Sequence, residues 1–417
     1  MLMKLLKTIF ALILLSNICF AQQEYNGQNI EEILKLPEKN INVGIATLVL
    51  AKEFYPNLNV QFFLQTFDYL ADRYKFYFGK YNNPEDRIRA MNSYLYRPGF
   101  WNDSITFTYD DDDLQVTKLD NKFINGYIAN KKGSCITMPM LYVILGERLG
   151  FPIYPVRSAK HFFVRYIPEK SSIKLQQNIE ATNGGGFISD NQYKEDVLIP
   201  DKAIKNGVYL RTLSKKEYLA SLLLINANEY IKQKNIEKAK HYFQLAIEYD
   251  STFSSAYWNY GLTAFGEARQ LEEKLWEVKQ NIISLHSVAN DLTNKKYREE
   301  INQTMQTTQN ELKEFNPSNP NPSSFETLGN KTQIQNSNAN LLKKNNYANS
   351  RTLYQEELQN ELLAIEKKYE PLILEKIKIY KEYAQKAEQL GIVHEFPLEF
   401  FEKQIESVKK FKQQGGY

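Results

Sequence analysis

The sequence predicts an α+β fold that is followed by an all-helical region. Apolar residues at helical spacing dominate the chain as far as Gly150, and three short strand-like runs bounded by Pro, Lys or Gly come after them. Helices that precede a small antiparallel sheet are typical of the α+β class. Beyond Leu213 the apolar spacing is helical only. With 417 residues, of which 43% are hydrophobic and 24% charged, the chain is long enough for more than one folded domain.

Residues 1–21 have the pattern of a signal peptide. Two lysines precede an apolar run from Thr8 to Phe20, which ends at the small residue Ala21. The run is shorter than the roughly 20 residues that span a bilayer. We therefore expect an exported protein, periplasmic or extracellular, without a membrane span. A lipid anchor at Cys19 is the alternative, although the residue before it is larger than lipoprotein signals require.

Charge and cysteine content narrow the classes of function. The 52 basic and 49 acidic residues nearly balance, so no nucleic-acid partner is expected. Cys135 is the only cysteine that remains once the signal segment is removed. An internal disulfide and a zinc site of paired cysteines are therefore excluded, and we expect neither a metal nor a cofactor. A lone thiol in an oxidising compartment requires burial or a function.

Five helices are predicted between the signal segment and the sheet. Residues 24–36 are interpreted as a short polar approach to the first of them. Ser134 can cap the last helix, and Gly150 can end it. The apolar spacing places the five helices at residues 43–54, 59–76, 86–96, 120–129 and 134–150.

Four adjacent aspartates, Asp110 to Asp113, lie in the segment 104–119 that separates two of these helices. Such a run could bind calcium. Calcium loops, however, space their ligands and place a glycine at the turn, and the run contains no glycine. A solvated acidic turn is therefore the favoured interpretation.

Cys135 lies at the start of the predicted helix 134–150. A helix N-terminus favours negative charge, lowers the pKa of a thiol and makes the nucleophilic thiolate more available. Pro139, four residues further on, has no N–H to donate into a regular helix, so the first turn is expected to be irregular. These features make Cys135 a candidate nucleophile.

Two further residues fit the roles that partner such a thiol. The strand-like runs cover residues 153–157, 161–167 and 178–181. His161 opens the second run and could act as general base to the thiol and then as general acid to the leaving group. Glu180, on the third run, could fix the imidazole through its other nitrogen. The glycines at 184–186 would let the backbone turn sharply beside the site.

Three motifs in this order resemble the transglutaminase-like superfamily. They are Gly133-Ser134-Cys135 before a Leu-rich helix, Lys160-His161-Phe162-Phe163-Val164-Arg165, and Glu180-Ala181-Thr182 before glycines. The chain looks most similar to a bacterial branch in which helices precede the core and helical repeats follow it. It departs from the superfamily in having Glu180 where an aspartate is usual, and it keeps a cysteine that this branch often lacks.

The resemblance implies a papain-like fold at residues 22–212 that acts on amides. Cys135, His161 and Glu180 would be catalytic, and the reaction would be peptide hydrolysis or acyl transfer through a thioester. The backbone N–H of Cys135 is a candidate oxyanion donor, and Asn183 and Asn130 are further candidates.

The region from residue 213 to residue 315 is predicted to contain one tetratricopeptide-like repeat and a long helix. The first repeat has its small and aromatic packing residues at Ala227, Tyr230, Ala239, Phe243 and Ala246. Residues 316–350 are rich in Asn, Ser, Pro and Gln, which is typical of a flexible linker. Charged helices at 351–417 are expected to pair with the long helix as a coiled coil.

These observations favour an exported cysteine hydrolase or acyltransferase with a protein or peptide substrate. The alternative is a catalytically idle domain that serves as a scaffold, with the repeat-like helices holding a protein partner. Cross-linking of glutamine to lysine is a narrower version of the first hypothesis, because hydrolysis requires only water as acceptor.

Overall fold

The structure is a computed structural model that describes residues 25–168, 177–291, 302–303, 305–307, 309–310 and 348–393. The predicted signal peptide with Cys19, most of the predicted linker and the end of the predicted C-terminal helices lie outside the described residues. Two compact units are present. One contains the described residues up to Tyr257 together with those from Ala387 onward, and the other contains Trp258–Lys386.

Helices make up most of the described chain. Within the first unit, asparagine side chains at positions 42, 59 and 83 accept a backbone N–H at the starts of the helices Val43–Lys52, Val60–Phe78 and Pro84–Tyr96. The α-helices are α1 Ile30–Lys35, α2 Val43–Lys52, α3 Val60–Phe78, α4 Pro84–Tyr96, α5 Ile124–Asn130, α6 Thr137–Leu149, α7 Asp190–Asp196, α8 Asp201–Lys205, α9 Lys215–Lys232, α10 Ile236–Tyr249, α11 Ser254–Asp291 and α12 Ala348–Leu390.

The strands form a small antiparallel sheet, which confirms the α+β prediction. The strands are β1 Thr108–Tyr109, β2 Lys132–Gly133, β3 Ile153–Ser158, β4 His161–Tyr166, β5 Gln177–Glu180 and β6 Gly186–Phe187. The order in the sheet is β3-β4-β5-β6, and every neighbouring pair is antiparallel. A separate two-stranded ladder pairs β1 with β2 in parallel.

The predicted helices are present with three differences. The helix predicted at residues 120–129 begins at Ile124, after the 3₁₀ turn Leu119–Asn121. Residues 24–36 contain α1, which is stabilised by a capping box between Asn29 and Glu32. The helix predicted to begin at Ser134 begins at Thr137, so Ser134 is not its cap. Gly150 ends that helix as predicted, in the left-handed conformation with φ +66°.

The core of the first unit is built around α2 and α6. Residues 43–51 of α2 are all buried, and so are residues 137–146 of α6. The helix pair α9–α10 joins the same unit through α2, because Asn226 Nδ2 donates to the Leu50 carbonyl at 2.9 Å. Ala227, Ala239, Phe243 and Ala246 are buried in this pair.

The second unit is held together by an apolar seam between α11 and α12. Ala268, Leu271, Val278 and Ile282 pack with Ile365, Tyr369 and Ile373. Lys376 and Glu267 form an ion pair of 3.4 Å in the same unit. None of the helices in the described ranges is both long enough and apolar enough to cross a membrane.

Candidate active site

Cys135 lies in a turn between β2 and α6 rather than inside the helix. The turn is closed by a hydrogen bond of 3.0 Å from the Met138 N–H to the Ser134 carbonyl. The helix begins only at Thr137, so the irregular first turn predicted from Pro139 is confirmed. The thiol is free and partly exposed. No described residue accepts a hydrogen bond from the Cys135 backbone N–H, so this donor is available at the site.

The short β1–β2 ladder holds the chain just before Cys135. Tyr109 is the register partner of Gly133, and the Asp110 N–H donates to the Gly133 carbonyl at 2.8 Å. Burial and the charges of Cys135 and Glu180 raise the pKa of Tyr109 above its usual range. Tyr109 therefore lies near the thiol, a placement that sequence reasoning missed because a two-residue strand has almost no periodic signal.

The interpretation of the aspartate run as a solvated turn is wrong for Asp110 and Asp113, which are buried. One oxygen of Asp113 accepts the backbone N–H and the hydroxyl of Thr117, both at 2.7 Å. Its other oxygen accepts the Lys118 N–H at 3.0 Å and Asn121 Nδ2 at 2.7 Å. Asp110 accepts Lys118 Nζ and Asn121 Nδ2, both at 2.8 Å. These donors, which the sequence does not reveal, compensate for the burial of both Asp113 oxygens and of Asp110 Oδ2.

This acidic network supports the cysteine turn. Both aspartates bind the side chain of Asn121. The backbone carbonyl of Asn121 accepts a hydrogen bond from the Ser134 hydroxyl at 2.6 Å. The Ser134 oxygen in turn accepts the Ile136 N–H at 3.0 Å.

Burial raises the pKa of Asp113, but hydrogen bonds from Asn121 and Thr117 outweigh it and lower the pKa to about 2. In the part of the chain that the structure describes, no group of three or more His, Cys, Asp or Glu residues could hold a metal ion.

His161 is brought to the cysteine turn at the first residue of β4. Its Nε2 lies 2.7 Å from Glu180 Oε2, and both side chains are buried. The Cys135 side chain is close enough to the ring to contribute to its pKa. The structure therefore brings together all three residues that the sequence predicts for the site.

The surroundings of His161 favour its protonated form. Burial lowers the pKa of the imidazole, but the charge of Glu180 and hydrogen bonds to Cys135 and Glu180 outweigh burial and raise the pKa to about 10. At neutral pH the ring is therefore an imidazolium that faces Cys135. A positively charged neighbour is the kind of partner that nucleophilic cysteines have.

Each carboxylate oxygen of Glu180 accepts two hydrogen bonds. Oε1 accepts the Thr182 N–H at 3.0 Å and the Thr182 hydroxyl at 2.6 Å. Oε2 accepts the Tyr193 hydroxyl at 2.5 Å in addition to the imidazole. Burial raises the pKa of Glu180, but the charge of His161 and these hydrogen bonds lower it further than burial raises it. The carboxylate is therefore ionised at neutral pH.

The predicted glycine turn follows Glu180 directly. Gly184 and Gly185 adopt φ of +60° and +80°, as the prediction of a sharp turn requires. The Gly185 N–H donates to the Glu180 carbonyl at 3.0 Å, and its own carbonyl accepts Asn92 Nδ2 at 2.6 Å. The turn thus fixes the backbone next to the acid.

The two asparagines predicted as oxyanion donors lie in different settings. Asn183 belongs to the 3₁₀ turn Ala181–Asn183, directly after Glu180. Asn130 is exposed at the end of α5, where its Nδ2 donates to Asp120 Oδ2 at 2.9 Å. Asn130 is therefore already engaged with an aspartate.

Comparison with known proteins identifies one family. Residues 61–223 match the model of the transglutaminase-like superfamily, and this confirms the resemblance that the three motifs predicted. The matched range contains Cys135, His161 and Glu180. Among curated proteins and among solved structures no significant match to the chain is found.

Proposed function

Because residues 61–223 form a transglutaminase-like domain, we propose that this protein is a cysteine hydrolase or acyltransferase acting on amide bonds of a protein or peptide. One observation carries the proposal. The buried pair of His161 and Glu180, with 2.7 Å between Nε2 and Oε2, holds a protonated imidazole against the Cys135 thiol. A structural cysteine needs no such pair.

The first half of the reaction acylates Cys135. The thiolate attacks the carbonyl carbon of the amide, and the π electrons of that carbonyl move to its oxygen. The free backbone N–H of Cys135 can donate to this oxyanion. As the tetrahedral intermediate collapses, the C–N bond breaks, and the leaving amine takes the proton of the His161 imidazolium. A thioester and a neutral imidazole remain.

The second half regenerates the thiol. Neutral His161 removes a proton from water or from an acceptor amine, which attacks the thioester carbonyl. The C–S bond then breaks, and its electron pair returns to the Cys135 sulfur beside the protonated imidazole. Water as acceptor gives hydrolysis, and an amine gives transfer. Glu180 keeps the ring oriented through both halves.

The other parts of the proposal concern export and the helices. Residues 1–21 would direct export. The helix pair α9–α10 would be a tetratricopeptide-like repeat that positions a protein substrate or partner. Its buried alanines support this role, because small residues allow the close helix contact of such repeats.

The proposal can be tested with p-nitrophenyl acetate, an activated ester that needs no knowledge of the natural substrate. We expect a burst of nitrophenolate from acylation of Cys135, followed by slower steady turnover, and no burst in Cys135→Ala. His161→Gln keeps the thiol, so it controls for simple thiol reactivity. Its burst should be slower by about 10²–10⁴-fold, the usual contribution of general acid–base catalysis.

Equal burst rates in the wild type and His161→Gln would contradict the proposal. They would favour the scaffold alternative, in which the domain is catalytically idle and the helices hold a partner. That alternative also predicts that the biological phenotype survives Cys135→Ala.

A further inference from the structure

The residue that completes the site lies outside the three motifs. The Tyr193 hydroxyl donates to Glu180 Oε2 at 2.5 Å, so this oxygen is shared between a tyrosine and His161 Nε2 at 2.7 Å. Tyr193 is buried and belongs to α7. It follows Glu180 by 13 positions.

The ring of Tyr193 is fixed from the side of the sheet. It stacks on Phe163 with 4.1 Å between centroids and 8° between planes. Phe163 lies on β4 two residues after His161, so the two side chains share a face of the sheet. The Tyr193 and His161 rings are 6.1 Å apart.

The helix that carries Tyr193 is fixed as well. Asp190, in the first turn of α7, accepts Arg165 Nη2 at 2.5 Å and Asn178 Nδ2 at 2.7 Å. Arg165 Nε also donates to Asn178 Oδ1 at 2.7 Å. Arg165 lies on β4 and Asn178 on β5, the two strands that carry His161 and Glu180. The same two strands therefore set the positions of the acid, the histidine and the tyrosine.

A glutamate in this position needs such a contact more than an aspartate would. Its side chain has one more rotatable bond, and each added bond gives the carboxylate more orientations. Thr182 holds only Oε1. Without Tyr193, the imidazole would be the one remaining hydrogen-bond partner of Oε2 among the described residues, and the carboxylate could still rotate about its Thr182-bound oxygen.

We propose that Tyr193 is a positioning residue of this site, whose hydroxyl fixes the Glu180 carboxylate against the His161 ring. The inference rests on the proposed function and explains how the chain uses glutamate as the acid. Burial and the charge of Glu180 raise the pKa of Tyr193 well above its usual range, so the hydroxyl stays a donor. The other titratable or charged groups that interact with the pair include Cys135, Arg165, Asp190 and three tyrosines, Tyr96, Tyr109 and Tyr142.

The test compares Tyr193→Phe with Tyr218→Phe in the full-length protein. The first variant keeps the stacked ring and removes only the hydroxyl. The control removes a hydroxyl that is equally buried but has no hydrogen-bond partner among the described residues. The readout is the NMR resonance of the His161 Nε2 proton, followed as the pH is lowered. Because the chain has four histidines, the resonance can be assigned with His161→Gln.

In Tyr193→Phe we expect the resonance to move to lower field at neutral pH, since the imidazole then no longer shares Oε2. The midpoint of its acid transition, where Glu180 takes up a proton, should rise by about one pH unit, the size of one hydrogen bond to a charged group. Tyr218→Phe should match the wild type. A Tyr193→Phe resonance and midpoint that also match the wild type would overturn the inference, even if the variant unfolds at a lower temperature.

The nitrophenyl acetate burst separates this inference from the proposed function. If the wild type shows no burst while the resonance shifts in Tyr193→Phe, the proposed function fails and the positioning role stands. If the wild type shows the burst and the resonance does not shift, the positioning role fails and the proposed function stands.

Discussion

His161 Nε2 and Glu180 Oε2 are 2.7 Å apart in a buried environment. A buried imidazole would ordinarily be neutral. The adjacent carboxylate reverses this preference, and each partner stabilises the charge of the other. Glu180 therefore sets the charge of the ring that faces Cys135, although it does not contact any reacting atom itself.

The first prediction concerns the charge of Glu180. Glu180→Gln keeps the size of the side chain and removes its charge, so among the causes that oppose burial only the contribution of Cys135 keeps its full strength. We expect the pKa of His161 to fall from about 10 toward its ordinary value of 6.5. NMR titration of the imidazole would measure the shift. Glu195→Gln, an exposed change on α7, is the control, and a His161 pKa that stays near 10 in Glu180→Gln would refute the expectation.

The second prediction concerns the pH dependence of stability. The pKa of His161 is about 10 in the folded protein against an ordinary 6.5, so the folded state binds more protons between these values. The stabilisation is complete below about pH 6.5 and is lost as pH rises through about 10. The free energy of unfolding should fall across this window by an amount on the order of a few kcal/mol. Urea titrations at several pH values would measure it, and His161→Gln should lack this part of the slope. Parallel curves for the two proteins would contradict the account.

The third prediction concerns the acidic network. Asp113→Ala would leave the Thr117 and Lys118 N–H groups and the Asn121 amide without their acceptor, at a cost of about 1–3 kcal/mol. Cys135 alkylation should slow as well, because Asn121 anchors Ser134. The control is Asp112→Ala on the same turn, whose side chain is 79% exposed and lies 3.7 Å from Lys132. Urea unfolding should show no loss of stability for the control. Equal stabilities of the two variants would show that the network does not support the turn.

The fourth prediction concerns Gly185. Its φ is +80°, and an added Cβ would lie 2.3–2.4 Å from the Asn92 side chain. Gly150 also has a positive φ but has no atom within 4 Å of an added Cβ. Gly150→Ala should therefore lower the free energy of unfolding by the backbone strain alone, about 1 kcal/mol. Gly185→Ala should lower the stability clearly more, which thermal unfolding would measure. Equal losses of stability in the two variants would mean that Asn92 moves away freely.

The helices and the sheet were predictable because they are encoded locally. The apolar spacing of residues 59–76 reflects the buried face of α3, and the dense apolar run at residues 43–54 reflects the burial of α2 on all sides. Both patterns exist in the sequence before any tertiary contact forms. The helix α1 was missed because its signal is a capping box of two polar residues, Asn29 and Glu32, in a short segment. Short helices depend on caps more than on periodicity.

The site was predictable in part for the same reason. Cys135, His161 and Glu180 each lie in a recognisable local motif, whereas the residues that hold them in place do not. Asp113 is buried because Asn121 and two backbone N–H groups meet it. Tyr193 reaches Glu180 only because Asp190 is tied to the sheet. Contacts of this kind arise from tertiary structure and leave no spacing pattern.

Activation of Cys135 by His161 and Glu180 can be measured through the pH dependence of its alkylation by iodoacetamide. The rate constant for Cys135 should already be high near neutral pH and should change little up to the alkaline range, because an imidazolium would stabilise the thiolate. Mass spectrometry would assign the modified residue. The control variant His161→Gln should react only as pH approaches the ordinary thiol pKa of about 8.5. If the wild-type protein follows the same curve as His161→Gln, the two residues do not activate Cys135.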